Sequence, residues 1–243
     1  MSTTDDALSG YGRGRLRIGL RSTTGPFGPR DEPLGLGSGR DGILYVPETA
    51  QTKAPLMVFL HGATGTGRAH LRPVLGAADR YGVILVAPDS RFDGSWDLIE
   101  QGQLGPDVAF LDVVLDSVLD RVDADVTRLA LGGISDGASY ALSIGLSNGD
   151  LFSSVVAFSP GFLMVPEPVG HPGVFVSHGT ADRILPIDSC SRAFVPALRE
   201  AGYDVVFREF DGGHSAPAPV ADEALAWLIS DQRGMPKVPA GDS

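Results

Sequence analysis

The sequence predicts an α/β chain with a mostly parallel central sheet, helices on both faces and an antiparallel N-terminal edge. Three observations carry this. Short continuous apolar runs, such as Leu56–Leu60 and Val155–Phe158, alternate with longer amphipathic stretches. The two earliest strand-like runs have no helix between them, which suits an antiparallel edge. The motif Gly133-Ile134-Ser135-Asp136-Gly137 follows the apolar run Leu129–Leu131 and precedes a helix-like stretch, so it reads as a tight strand-to-helix turn.

Taken in order, Leu16, Ile18 and Leu20 alternate with Arg15, Arg17 and Arg21. Period two predicts a half-exposed outer strand there. Residues 22–40 are rich in Gly and Pro and are expected to form a long loop. Ile43–Val46 is a second strand, stopped by Pro47. Leu56–Leu60 is a strand covered on both faces, followed by a Gly-rich loop, 61–67. A helix is expected over 69–80 and a buried strand over 82–87. Pro106 and Asp107 open a helix whose apolar positions, Val108, Leu111, Val114, Leu115, Val118 and Val122, share one face. A strand over 128–132 leads into the Ser135 turn and a helix over 137–147. Strands at 155–158, 173–176 and 204–210 and helices over 189–201 and 217–230 complete the pattern. The domain reading is a flexible segment over 1–14, a single α/β domain over 15–231 and a flexible tail over 232–243.

Composition narrows the function classes. The chain has 243 residues, 43% of them hydrophobic, enough for one sizeable core. A formal net charge of −11 disfavours nucleic acid and anionic membrane as partners. No apolar run approaches the roughly 20 residues of a membrane span. The polar start, Met1–Asp6, lacks a signal-peptide core. Cys190 is the single cysteine, so no intrachain disulfide can form; a cytoplasmic protein is expected.

The chemistry-bearing residues sit where strands end. In the Ser135 turn, flanking glycines let the chain fold tightly and push the serine hydroxyl into the open. Serine is a poor nucleophile unless a base takes its proton and an acid orients that base. Asp182 lies a few residues beyond the strand ending near Val176. His214 lies a few residues beyond the strand ending near Phe210. Asp188 and Asp211 compete with Asp182 for the acid role, but Asp188 is placed to cap a helix and Asp211 lies on the base's own loop. The backbone N–H groups of Ala63 and Asp136 are the candidate donors to an oxyanion. Thr64, Trp96, Phe162 and Leu163 are candidate pocket residues. Trp96 reads equally well as packing at the sheet edge, and Phe162-Leu163-Met164 as a covering loop. His61 and His178 each end a strand before Gly and read as buried, hydrogen-bonded residues that shape loops. The five histidines show no metal-ligand spacing, and 62–67 lacks the Gly-Lys-Ser/Thr ending of a phosphate loop, so neither metal nor cofactor is expected.

These pieces resemble the α/β-hydrolase superfamily, within it the bacterial phospholipase/carboxylesterase, dienelactone-hydrolase-like and polyhydroxybutyrate-depolymerase-like serine esterases. The resemblance rests on Leu60-His61-Gly62-Ala63, Pro88-Asp89-Ser90, Asp107–Leu111, the Gly133–Gly137 turn, His178-Gly179-Thr180-Ala181-Asp182 and Gly213-His214. It implies hydrolysis of small-molecule carboxylic esters without a cofactor, with Ser135 as nucleophile, His214 as base, Asp182 as acid and Ala63 and Asp136 as oxyanion donors. The sequence departs from the pattern at Asp136, where many relatives carry Gln, Asn or Met; a carboxylate there is expected to disfavour anionic substrates. The short interval between Ser135 and Asp182 leaves no room for a large cap domain. A thioesterase, peptidase, deacetylase or polyester-oligomer hydrolase on the same three residues, or a binding protein on the same scaffold, are the competing readings.

Overall fold

A computed structural model describes residues 10–19, 21, 25, 28–37 and 39–230. Residues 1–9, part of the N-terminal segment expected to be flexible, and residues from 231 onward, which include the tail expected to be flexible from 232, lie outside the described residues. Eight strands form one sheet: β1 (Arg30–Pro33), β2 (Gly42–Val46), β3 (Ala54–Leu60), β4 (Ile84–Pro88), β5 (Ala124–Ile134), β6 (Ser154–Phe158), β7 (Gly173–Gly179) and β8 (Val205–Phe210). Their spatial order is β1-β2-β4-β3-β5-β6-β7-β8. From β4 to β8 every pairing is parallel, and β1 and β2 make the antiparallel edge. The helices are α1 (Gly67–His70), α2 (Arg72–Tyr81), α3 (Asp97–Gln101), α4 (Pro106–Leu119), α5 (Asp136–Ser147), α6 (Ser191–Glu200) and α7 (Ala218–Ile229). The connection from β6 to β7 carries no helix, so no inserted cap stands over the strand ends there.

Two hydrophobic clusters, one on each face, hold the sheet. One is built around Leu56, Val58 and Leu131 with Val108, Leu111, Tyr140 and Leu142 from α4 and α5. The other joins Met57, Phe59, Phe158 and Phe175 to Val74, Ala78, Ala221 and Leu225 from α2 and α7. Strand residues pointing alternately to the two faces explain why β3, β4 and β6 are buried along their whole length.

The N-terminal edge differs from the expectation in two places. Residues 15–19 are not a strand. Their amide groups bond to side chains instead: Arg17 and Ile18 donate to Asp112 of α4, and Leu16 donates to Asn148 at the end of α5. Asn148 returns a bond to the Gly14 carbonyl at 2.7 Å. The alternation of Leu16 and Ile18 with arginines is real, but the polar partners come from helices rather than from a strand. The antiparallel partner of β2 is Arg30–Pro33, inside the Gly/Pro-rich stretch expected to be loop. As the outermost strand it can carry Pro33, and its other exposed residue, Asp31, is charged. The short helix α3 was also not expected. Among the described residues no helix is long and apolar enough to cross a membrane.

Candidate active site

The Ser135 turn is built by close approach of backbone. A side chain on Gly137 would lie 2.5 Å from the Leu60 carbonyl carbon, and one on Gly133 would lie 2.5 Å from the Gly137 carbonyl carbon. Only glycine fits either place. The serine itself adopts φ 57° and ψ −123°, outside the ordinary regions for an L-residue. Such a conformation costs about 1–3 kcal/mol and persists because its surroundings enforce it. Here the Ser135 amide donates to the Phe158 carbonyl at 2.9 Å, extending the β5–β6 ladder past the strand end. The Ser135 carbonyl accepts the first bonds of α5, from Ala138 and Ser139.

The loop after β3 lies against this turn. A side chain on Gly62 would sit 3.2 Å from Ser135 Cβ, so the Gly62-Ala63 backbone passes directly over the serine. Among the described residues neither the Ala63 nor the Asp136 amide donates a hydrogen bond. Asp136 also opens α5, where the helix dipole favours negative charge. Thr64, exposed, holds φ 54° and donates its amide to the Gly94 carbonyl at 2.6 Å. His61 underpins the loop from below. It is fully buried; its Nδ1 donates to the Gly62 carbonyl at 2.7 Å and its Nε2 accepts from the Ser90 amide at 3.0 Å. Burial lowers its pKa to about 4, seconded by the charge of Arg40, so the ring stays neutral. Arg40 crosses from the β1–β2 connection to bond the Gly65 and Ser90 carbonyls.

On the next strands, His214 Nδ1 lies 2.7 Å from Asp182 Oδ2. A carboxylate only accepts, so Nδ1 carries a proton; in the neutral ring this tautomer puts the lone pair on Nε2. Asp182 Oδ1 accepts the Ile184 and Leu185 amides, both at 2.9 Å. Burial works against ionising Asp182. The Leu185 amide, His214 and the Ile184 amide outweigh it and hold the carboxyl below its ordinary value. His178 braces the same group: its Nε2 lies 3.2 Å from Asp182 Oδ2 and 2.7 Å from the Leu185 carbonyl, and its Nδ1 lies 2.7 Å from Ser191 Oγ. Gly179 leaves the space through which the Gly212-Gly213 backbone passes. Bonds from Ala181 to the Gly212 carbonyl and from Thr180 to the Phe210 carbonyl stitch the two loops together. The rival carboxylates are elsewhere. Asp188 pairs with Arg192, and Asp211 is exposed and makes no bond to His214 among the described residues. Ser135 Oγ and His214 Nε2 are likewise not hydrogen-bonded to each other in this structure.

Of the pocket candidates, Phe162 and Leu163 are half-buried on the β6–β7 connection, which is anchored by the Gly161 amide on Ser139 Oγ at 2.8 Å. Trp96 is corrected. It has no exposed surface, stacks on Tyr140 with ring centroids 5.1 Å apart, and donates its indole N–H to the His61 carbonyl at 2.8 Å. It is packing beneath the site and presents no face to a ligand. Sequence reasoning also missed Ser95, whose hydroxyl donates to Asp136 Oδ2 at 2.7 Å. Nothing in the local pattern marks that bond, because its partners lie on different loops.

An eight-stranded sheet of this order, with a strained serine turn after β5 and an Asp–His pair after β7 and β8, defines the α/β-hydrolase fold. The solved structures agree. Esterase PE8 matches with TM-score 0.65 at 24% identity, over 78% of this chain and 97% of that one. The carboxylesterase of Bacillus cereus matches with TM-score 0.58 at 20% identity, over 79% and 94%. FphF of Staphylococcus aureus, a fluorophosphonate-binding serine hydrolase, matches with TM-score 0.65 at 15% identity, over 85% and 100%. At these identities the likeness is one of fold. In sequence, acetylxylan esterase A of Emericella nidulans is 27% identical over 136 residues, 53% of this chain and 43% of the relative. The probable acetylxylan esterase A of Aspergillus fumigatus is 28% identical over 152 residues, 58% of this chain and 40% of the relative. The match thus spans about two fifths of the length of these curated relatives. No protein-family model matches the chain.

Proposed function

We propose that this chain is a serine hydrolase that cleaves small carboxylic esters, acetyl and other short acyl esters foremost, through an acyl-enzyme. The observation that carries the reading is the His214–Asp182 pair, on two loops stitched to each other after β7 and β8, at the same end of the parallel sheet as the turn after β5 that presents Ser135. The similarity to acetylxylan esterases supports an acetyl group as the acyl part.

In this reading a hydrogen bond from Ser135 Oγ to His214 Nε2 forms when substrate binds. His214 Nε2 takes the Ser135 proton as Oγ attacks the carbonyl carbon. The carbonyl oxygen gains the negative charge and lies against the Ala63 and Asp136 amides. His214, now cationic, is stabilised by Asp182 and gives its proton to the leaving alkoxide as the C–O bond breaks. A water then repeats the sequence on the acyl-enzyme, with His214 again as base, releasing the acid and restoring Ser135. The missing cap leaves the acyl and alcohol ends open to solvent, which favours short chains over long triacylglycerols.

Intact-mass analysis after a fluorophosphonate, with turnover of p-nitrophenyl acetate, butyrate and octanoate, tests the reading on wild type and Ser135→Ala. One adduct on wild type only, with activity falling as the acyl chain lengthens, is expected. Unmodified wild type without turnover would overturn it in favour of a binding protein on this fold.

A further inference from the structure

The two amides assigned to the oxyanion stand on separate elements, the loop after β3 and the first turn of α5. One short segment, Gly94-Ser95-Trp96, bonds to both. The Gly94 carbonyl accepts the amide of Thr64, next to Ala63, at 2.6 Å. The Trp96 indole N–H donates to the carbonyl of His61, at the root of the same loop, at 2.8 Å. The Ser95 hydroxyl donates to the carboxylate of Asp136 at 2.7 Å. Ser95 is 1% exposed and Trp96 not at all, so the donors of the last two bonds are shielded from water.

The segment has a rigid foot. Trp96 stacks on Tyr140 of α5, whose hydroxyl donates to Asp97 Oδ1 at 2.9 Å. Asp97 and Asp107 cap one another's backbone. The Asp97 amide donates to Asp107 Oδ2 at 2.6 Å, and the Asp107 amide to Asp97 Oδ2 at 2.9 Å. Three elements, α3, α4 and α5, therefore fix where residues 94–96 stand.

We infer that Ser95 and Trp96 are positioning residues that set the distance between the Ala63 and Asp136 amides. This rests on the oxyanion role proposed for those amides. Substrate in its ground state leans on the donors weakly, and the charged tetrahedral intermediate leans on them strongly. Loosening the bracket then lowers kcat and leaves KM in place. It also weakens a trifluoromethyl ketone, which mimics the intermediate when Ser135 Oγ adds to its carbonyl carbon, His214 takes the proton and the ketone oxygen becomes the oxyanion.

The test uses the full chain with p-nitrophenyl acetate and a trifluoromethyl ketone, on Ser95→Ala, Trp96→Phe, Asp136→Ala and the Ser95→Ala/Asp136→Ala pair. Expected for Ser95→Ala and Trp96→Phe is a fall in kcat of about 10-fold, with KM within about twofold and the ketone inhibition constant raised by the same factor as kcat falls. Ser95→Ala and the double variant should match Asp136→Ala, since all three remove one bond. Ser95→Ala deletes a single hydroxyl and decides the matter if Trp96→Phe does not fold. The inference is overturned if kcat of Ser95→Ala stays within about twofold of wild type, if ketone affinity does not follow kcat, or if the Ser95 and Asp136 effects multiply. Wild type and Ser135→Ala separate the two layers. Turnover lost in Ser135→Ala but unaffected by bracket variants removes the bracket alone, and absence of wild-type turnover ends both.

Discussion

Gly137→Ala is the sharpest test of how the serine turn is assembled. A methyl group there would begin 2.5 Å from the Leu60 carbonyl carbon, where ordinary van der Waals contact starts at 3.4 Å. The Leu60 and His61 carbonyl oxygens lie closer still, so the start of α5 must back away from the end of β3 by roughly 1 Å or slightly more to admit it. That movement carries Ser135 and the Asp136 amide away from the Ala63 loop, and a displacement near 1 Å costs about 100-fold in rate. Overpacking of this kind also costs about 1–3 kcal/mol of stability. Gly76, on the outer side of α2, is the control: nothing lies within 4 Å of a side chain placed there. Gly76→Ala gains up to about 1 kcal/mol from helix propensity. Steady-state turnover of p-nitrophenyl acetate and urea unfolding, run on both variants, read the two effects. A Gly137→Ala protein with wild-type kcat would refute the argument that backbone contact at this point sets the catalytic geometry.

Asp182→Asn keeps the shape of the acid but no longer fixes the proton on His214 Nδ1, so turnover should fall about 10⁴-fold while the folded content measured by circular dichroism holds. Asp112→Ala strips the acceptor from the Arg17 and Ile18 amides and the Tyr11 hydroxyl. Urea unfolding should show a loss of about 2–3 kcal/mol; a loss below about 0.5 kcal/mol would mean that water replaces the carboxylate without penalty. Two buried groups act oppositely on stability in acid. His61 titrates at about 4 when folded against 6.5 ordinarily, so the unfolded chain binds the extra proton and stability falls as pH drops from 6.5 towards 4. Asp107, raised by burial to about 6 from 3.8, binds its proton first in the folded state, so its contribution rises as pH drops from 6 to 4. Removing it in Asp107→Asn should therefore widen the stability gap to wild type by about 3 kcal/mol between those limits, and a constant gap across them would count against the burial argument.

The parallel part of the sheet was legible because its central strands carry unbroken apolar runs and helix-like stretches with apolar residues at three- and four-residue spacing recur between most of them. The placement of Asp182 and His214 was legible for a related reason: parallel strands deliver their following loops to one edge, so position after a strand is nearly position in space. What escaped was governed by long-range polar contacts. Leu16–Ile18 has the alternation of a strand, yet Asp112 and Asn148, about 95 and 132 residues away, take its amides. Arg30–Pro33 reads as loop because it lies in the Gly- and Pro-rich stretch 22–40, and becomes a strand only because β2 offers an unpaired edge. Trp96 reads as either pocket or packing until the carbonyl of His61 is seen to accept its N–H. Ser95 carried no local mark at all.

Asn148 ends the same helix that Ser135 begins, with α5 spanning about 18 Å between them. At the far end, Asn148 holds the Leu16 amide and the Gly14 carbonyl, and Arg15 pairs with Asp150. A protease that severs the chain between this strap and β1 would release a piece whose departure strands buried acceptors, and global opening would follow sooner. Substitutions that tighten the strap can prolong the working life of the protein in a proteolytic medium while leaving its chemistry as it is.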